Sequence, residues 1–284
     1  MLNRKAKGVI QLFRPELPFS AGICVVLGEI VALGGIPPIR ETMLGFACGF
    51  FISGSALISN DYFDLEVDKV NAPTRPLPSG AVSPLEALLL AGIAMLIGLS
   101  TSFAISVQAL ILSLIFGAIG ILYNWRFKQE GLIGNLMVAS SVAITFILGG
   151  LAVGDPFNKV VLFFSLTAFL IDLGEEIAGD AMDIDGDKQR GSKSIAIVYG
   201  KRTALRISSA VFFLLALISF TPYLAGWLGI KYLVIISLAD AITIFSAVKL
   251  LKSQTPDEGH KCMRWIYIGA LFAMLAYIIA QFFA

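Results

Sequence analysis

Apolar runs of about twenty residues recur along the whole 284-residue chain, separated by shorter polar stretches. Nine can be read, at 17–36, 43–59, 84–103, 106–124, 132–152, 158–176, 204–221, 229–250 and 264–283. The hydrocarbon core of a bilayer is about 30 Å thick and takes roughly 20 apolar residues per helical crossing. Each run therefore predicts a transmembrane helix. No segment alternates polar and apolar positions in blocks of about ten, which argues against a membrane β-barrel.

Composition agrees. The chain is 57% hydrophobic and 14% charged, with a mean hydropathy of +0.84. A soluble domain carries about 25% charged residues. The net charge of +1 holds no nucleic-acid signal, and none is expected as a partner. The placement of charge says more. With the N-terminus on the cytoplasmic side, 18 of the 21 lysines and arginines fall inside, and only Arg40, Lys159 and Lys231 fall outside. That bias predicts a multi-pass protein of the cell membrane, N-terminus in and C-terminus out. The first run lacks a small-residue cleavage site and reads as a retained span rather than a signal peptide.

Charge also gathers in the inside connections. Loops 60–83 and 177–203 are long and charged, 125–131 is short and basic, and 251–263 is polar. Outside, 34–42 and 153–157 are turn-rich ("GGIPPIRE", "VGDPF"). Any chemistry is therefore expected on the cytoplasmic face.

The stretch "NDYFDLEVD" at 60–68 puts four carboxylates and an amide beside an apolar run. Asp61, Asp64 and Asp68 follow a D-x-x-D-x-x-x-D spacing, and Asp180, Asp183 and Asp187 repeat it 119 residues later. Each set follows a membrane helix, the second and the sixth. In a helix, positions i, i+3 and i+7 share one face. Each set would thus present three carboxylates in a row, at a cost of a few tenths of a kcal/mol per like-charged pair. A divalent cation relieves that repulsion. Mg²⁺ takes one or two carboxylates together with waters and substrate phosphates. One acidic segment alone is an ordinary solvated helix end. Two with one spacing, on one side of the membrane, point to the two walls of a metal–diphosphate site. Asp61, Glu66 and Asp185 sit beside the main row and are compatible with facing water.

The predicted fold is thus an all-α integral membrane protein. It has nine transmembrane helices in a pseudo-repeated bundle with a cytoplasmic cap of acidic loops. A single membrane-embedded domain spans 1–284, with pseudo-repeat halves at roughly 10–130 and 131–284.

Cations follow the acidic segments. Arg75 is held between prolines in "NAPTRPLPSG" (71–80), "YNWRFK" (123–128) ends the fourth helix, and Lys188, Arg190 and Lys193 follow the second row. Arg and Lys are natural partners of diphosphate oxygens, although Lys128 also fits a plain topology residue. Glu29 and Asp240 fall at membrane depth, where ionisable groups face a bundle interior or cavity. Cys24, Cys48 and Cys262 form no metal spacing, and Cys24 and Cys48 read as packing residues. His260 reads as exposed.

These residues resemble the UbiA superfamily of intramembrane prenyltransferases. The family carries N-D-x-x-D-x-x-x-D, here Asn60 to Asp68, and a second aspartate motif, here Asp180, Asp183 and Asp187 after Glu176. "RPLPSG" at 75–80, "GSKSIAIVYG" at 191–200 and the nine helices are also similar. The resemblance spans essentially the whole chain. It implies Mg²⁺-dependent transfer of a prenyl group from an isoprenyl diphosphate to a lipid-soluble acceptor. Metal ligands by that resemblance are Asn60, Asp61, Asp64, Asp68, Asp180, Asp183 and Asp187. Diphosphate contacts would be Asn60, Arg14, Arg75, Lys128, Arg190 and Lys193. Catalysis would fall to Asp64, Asp68, Asp183, Asp187 and Lys128, with Tyr123 near the reacting carbon. Chain length and motif style are most similar to the archaeal branch acting on geranylgeranylglyceryl phosphate, with geranylgeranyl diphosphate as donor. An aromatic acceptor of the 4-hydroxybenzoate or naphthoate type is the alternative.

Two other classes use membrane carboxylates. CDP-alcohol phosphotransferases need D-G-x-x-A-R and downstream aspartates, which "DGDKQRG" at 185–191 lacks. A divalent-ion transporter would place its acids near mid-membrane on broken helices, and only Glu29 and Asp240 qualify.

Overall fold

A chain in hydrocarbon must satisfy its backbone polar groups internally, so apolar runs of this length fold as helices. The computed structural model describes residues 4–189 and 191–282, and among them the regular elements are helical. The chain forms two compact units. One runs to Phe127 and takes in Ile144–Leu162; the other comprises Lys128–Ala143 and the chain from Phe163 onward.

The first unit opens with α1 (Arg4–Phe13), a short amphipathic helix. It continues through α2 (Glu16–Leu33), α3 (Ile39–Phe63), the short α4 (Leu65–Asn71), α5 (Pro84–Ile105) and α6 (Val107–Trp125). The later part of α7 (Leu132–Ala152) also belongs to it. Helix α3 is central and packs against α2, α5 and α6. Val25, Cys48, Ala109 and Leu148 form one core cluster; Leu12, Ile58, Leu77, Val82 and Ala87 form another beneath α1. Ser83 caps α5 in a reciprocal capping box with Glu86, and Lys5 of α1 pairs with that same Glu86. The cap thus fixes the start of a membrane helix and anchors α1 to it.

Small residues set how closely these helices approach, as expected where lipid supplies little hydrophobic drive between helices. A Cβ at Gly149 of α7 would collide with the carbonyl oxygen of Val25 in α2, and one at Gly28 with the backbone of Phe146. Backbone cannot swing aside as a side chain can. Gly149→Ala is therefore expected to destabilise the protein by about 1–3 kcal/mol through overpacking. Gly120→Ala on α6, where a Cβ meets open space, serves as the control. Thermal unfolding of the two variants in detergent checks the difference.

The second unit holds the start of α7 and most of α8 (Lys159–Met182). Then come α9 (Ile184–Gln189), α10 (Ile195–Tyr199), α11 (Lys201–Ile218), α12 (Thr221–Leu224), α13 (Ile230–Leu251) and α14 (Pro256–Phe282). Its core joins Ala139, Leu170, Ile177, Leu205, Phe212, Leu250 and Ile266. Asp240, unexplained by sequence, is buried in α13 and accepts a hydrogen bond from Ser219 at the end of α11. The Tyr232 hydroxyl donates to the Ser219 carbonyl at 2.8 Å. Asp240 is thus a structural tie. Glu29 of α2 is fully buried, and neither of its oxygens has a hydrogen-bond partner among the described residues.

Nine spans were expected; among the described residues, eight helices are both long and apolar enough to cross a membrane. The difference is α8. Its 24 residues suffice in length, about 36 Å at 1.5 Å per residue. Asp172, Glu175, Glu176 and Asp180 crowd its C-terminal half, however, and take it out of the apolar class. The element exists where the sequence placed it, with chemistry built into its second half. The chain is a multi-pass membrane protein.

Candidate active site

The two aspartate rows are built alike. In the first, α3 ends at Phe63, Asp64 sits at the joint with φ −83° and ψ −1°, and α4 follows. In the second, α8 ends at Met182, Asp183 is the joint, and α9 follows. Backbone bonds repeat at the same offset. Asp64 N–H donates to the Asn60 carbonyl (3.0 Å) and Asp68 N–H to that of Asp64 (2.8 Å); Asp183 N–H donates to Gly179 (3.0 Å) and Asp187 N–H to Asp183 (2.9 Å). The expectation of three carboxylates on one helix is corrected: each row is divided at its middle aspartate, where one helix ends and the next begins. Aspartate competes with the helix for backbone bonds and prefers helix ends, and ending a helix there adds little cost where like charges already strain it. At the second joint, a Cβ on Gly186 would lie 2.8 Å from Asp183 Oδ1. Glycine there leaves the carboxylate its room.

In the first row, Asp61 and Asp68 are almost fully buried, at 3% and 1% exposure. The suggestion that Asp61 faces water is therefore corrected. Arg14, at the α1–α2 junction, pairs with its Oδ1, and Arg75 Nη1 lies 3.9 Å from the same atom. Arg75 also donates to Asp68 Oδ2 at 2.6 Å. Burial works against the Arg75 charge, but the bond to Asp68 and the charges of Asp68, Asp61 and Asp64 outweigh it and hold its pKa above the usual value. Arg14 has φ +45°, the one positive value at a non-glycine among the described residues. Strain of this kind persists where the surroundings over-determine the backbone, here through the buried ion pair. Gln11, Arg14, Asp61, Thr74, Arg75 and Pro76 line a cavity of about 280 Å³. Asn60 donates its amide to Asn124 at 2.9 Å, and Asn124 donates in turn to the Ala56 carbonyl. Glu66 is exposed and pairs with Lys69, so that one does face water.

In the second row, Asp180 accepts a hydrogen bond from Asn135 Nδ2 at 2.9 Å. Asp183 and Asp185 are exposed and Asp187 is half-buried. Lys193 reaches both oxygens of Glu130 at 3.0 Å, and its N–H donates to the Gln129 carbonyl at 2.8 Å. Lys128, half-buried on a single 3₁₀ turn (Phe127–Gln129), exerts an electrostatic pull on Glu176. Tyr123 is half-buried in the last turn of α6. Arg190 lies outside the described residues.

The structure adds residues that sequence reasoning passed over. Asn124 and Asn135 support motif residues. Asp172 stands eight positions before Asp180, on one face of α8 with Glu176, the acid that precedes the second motif by four positions. Tyr267 of α14 donates to Glu175 at 2.8 Å. Their signal was the four-residue spacing of acids inside an apolar run.

Among the described residues no three Asp, Glu, His or Cys side chains converge into a closed metal cage. Mg²⁺ does not require one, since it is held by one or two carboxylates plus water and substrate phosphates. Asp68 fits that demand: Oδ2 is held by Arg75, while Oδ1 is buried without a hydrogen-bond partner among the described residues. One oxygen is fixed and the other is available as a hard ligand. The donor set suits Mg²⁺.

Residues 21–278 match the UbiA prenyltransferase family. The digeranylgeranylglyceryl phosphate synthase of Thermococcus kodakarensis is 34% identical over 275 residues, covering 97% of this chain and 98% of that protein. That of Methanopyrus kandleri is 35% identical over 272 residues, 96% of this chain and 98% of its own. A solved digeranylgeranylglyceryl phosphate synthase structure superposes with a TM-score of 0.84 at 30% identity, covering 99% of this chain and all of that one. A UbiA homolog from Archaeoglobus fulgidus, solved with DMAPP and Mg²⁺, shares the fold with a TM-score of 0.68 at 21% identity, covering 96% and 98%.

Proposed function

The chain belongs to the UbiA prenyltransferase family and is a membrane prenyltransferase, and we propose that it moves a geranylgeranyl group from its diphosphate to geranylgeranylglyceryl phosphate, an ether-forming step of archaeal lipid synthesis. The observation that carries this reading is the doubled aspartate joint at Asp64 and Asp183, each at the end of a membrane helix. The names of the relatives support the acceptor.

In the reaction the C–O bond between the allylic carbon and the diphosphate breaks. The acceptor hydroxyl oxygen forms the new ether bond and loses its proton. Negative charge develops on the departing diphosphate, where prepositioned cations act most strongly. Arg75, held on Asp68, is placed to meet that charge beside the first row. Lys128 is the second cation assigned to the diphosphate in this reading. Asp64, Asp68, Asp180, Asp183 and Asp187, with the Asn60 amide oxygen, would hold Mg²⁺. When bound, the ion neutralises diphosphate oxygens and eases their departure. Tyr123 stands near the reacting carbon in this reading, and Arg14 lines the same cavity as Arg75. The excess of cations on one side of the spans supports a cytoplasmic site with the N-terminus inside.

Purified protein with Mg²⁺ and labelled geranylgeranyl diphosphate, offered geranylgeranylglyceryl phosphate and 4-hydroxybenzoate side by side, tests the acceptor. Product is expected from the glyceryl phosphate. Prenylation of the aromatic acid alone overturns the assignment.

A further inference from the structure

Asp61 and Asp180 occupy the same position of the repeat, 119 residues apart, yet they are held differently. Asp61 is tied to a guanidinium, that of Arg14, with a second, that of Arg75, close by. Asp180 is tied to a neutral amide, that of Asn135. We propose that Asn135 is a positioning residue that holds the Asp180 carboxylate as a metal ligand, whereas Asp61 serves as counter-ion to Arg14 and Arg75 and is not a ligand. This rests on the prenyltransferase reading of the two rows.

The argument is one of charge and direction. Asp61 faces two guanidiniums at one oxygen, which offset its charge, whereas Asp68 is held by one at Oδ2 and keeps Oδ1 for a metal; an amide donor orients the carboxylate and leaves its charge for a divalent ion. A carboxylate accepts only, so the group facing Asp180 is the Asn135 NH₂ whichever way the amide is drawn. Groups of this sort, one shell out from a metal, set ligand orientation. Asn135 is built for it. It is 6% exposed and lies in the first turn of α7, its N–H donating to the Gly131 carbonyl at 3.1 Å. Gly131 has φ +56°, and a Cβ there would collide with the Lys193 carbonyl. The segment bearing Lys193 therefore packs on the turn that launches α7, and this fixes where Asn135 starts. The Lys193 N–H to Gln129 carbonyl bond ties the same two segments from the other side. The "GSKS" run at 191–194 thus acts on the second row through Asn135, as well as through any cation of its own.

The test reads metal affinity without turnover. Mn²⁺ binding to the full-length protein in detergent is followed by EPR, with an unreactive prenyl thiodiphosphate present. Asn135→Asp keeps the volume but replaces the donor with an acceptor. It is expected to raise the Mn²⁺ dissociation constant by about 10–100-fold. Asn135→Ala removes the donor without adding charge and is expected to give a smaller shift in the same direction. In turnover, the Mg²⁺ half-saturation point should move in parallel, with kcat recovering at high Mg²⁺. If both variants bind Mn²⁺ within about twofold of wild type, or lose only thermal stability, the positioning role falls. If wild type binds Mn²⁺ but transfers no prenyl group, the proposed reaction falls while the role of Asn135 is still decided by the affinities.

Discussion

Asp68→Asn is expected to lower prenyl transfer about a thousandfold, the loss of roughly 4 kcal/mol of transition-state stabilisation. The size follows from the two roles one carboxylate plays. Its Oδ2 holds Arg75, and its Oδ1 is buried with no hydrogen-bond partner among the described residues. An amide in its place keeps the volume. It offers Arg75 at best a neutral acceptor and removes the negative charge the metal needs. Binding and placement of the diphosphate both suffer, because the cation and the metal would meet its oxygens from one anchor. Glu66→Ala, two residues away, removes a carboxylate that is 80% exposed and paired with Lys69. An exposed pair is worth about 0–1 kcal/mol, so that variant should turn over close to wild type. Steady-state transfer at saturating Mg²⁺ measures both. A value for Asp68→Asn within about tenfold of wild type removes Asp68 from the site.

Much of this could be read from the chain alone, for identifiable reasons. Apolar runs of membrane length leave a backbone few alternatives to helix, so the elements fell where hydropathy placed them. The aspartate repeat survived folding down to the backbone bonds at its joints. What could not be read was partner choice. Asp61, Asp64 and Asp68 are equivalent in spacing, and nothing in that spacing says that Arg14, 47 positions upstream, turns back onto Asp61. Nor does anything local mark Asn135, a polar residue at a helix start, as the partner of Asp180 45 positions on. The span count differed at α8 because its 158–176 run was read as apolar throughout, whereas Asp172, Glu175, Glu176 and Asp180, all half-buried, crowd the second half of the helix. Asp240 illustrates the same limit, since its partner Ser219 lies on another helix.

Asp61→Asn is expected to cost the protein about 3–5 kcal/mol of stability, the penalty for stranding a charge whose buried partner has been removed. The Arg14 side chain keeps 27% exposure while Asp61 keeps 3%. Water can reach the arginine in part, which places the value near the low end of that range. Some strain is relieved at the same time: Arg14 at φ +45° gives back part of the roughly 1–3 kcal/mol that such a backbone stores once nothing holds it there. Arg14→Leu should cost less. It leaves Asp61 buried, but Arg75 is already 3.9 Å away and can move in. The two single variants and the double, unfolded thermally in detergent, form a cycle whose coupling energy isolates the pair. The cycle also separates counter-ion from ligand. A counter-ion reports in stability and couples to Arg14, while a metal ligand reports in Mn²⁺ affinity and does not. If Asp61→Asn costs less than about 1 kcal/mol and instead weakens Mn²⁺ binding, Asp61 returns to the ligand set and the two rows become equivalent.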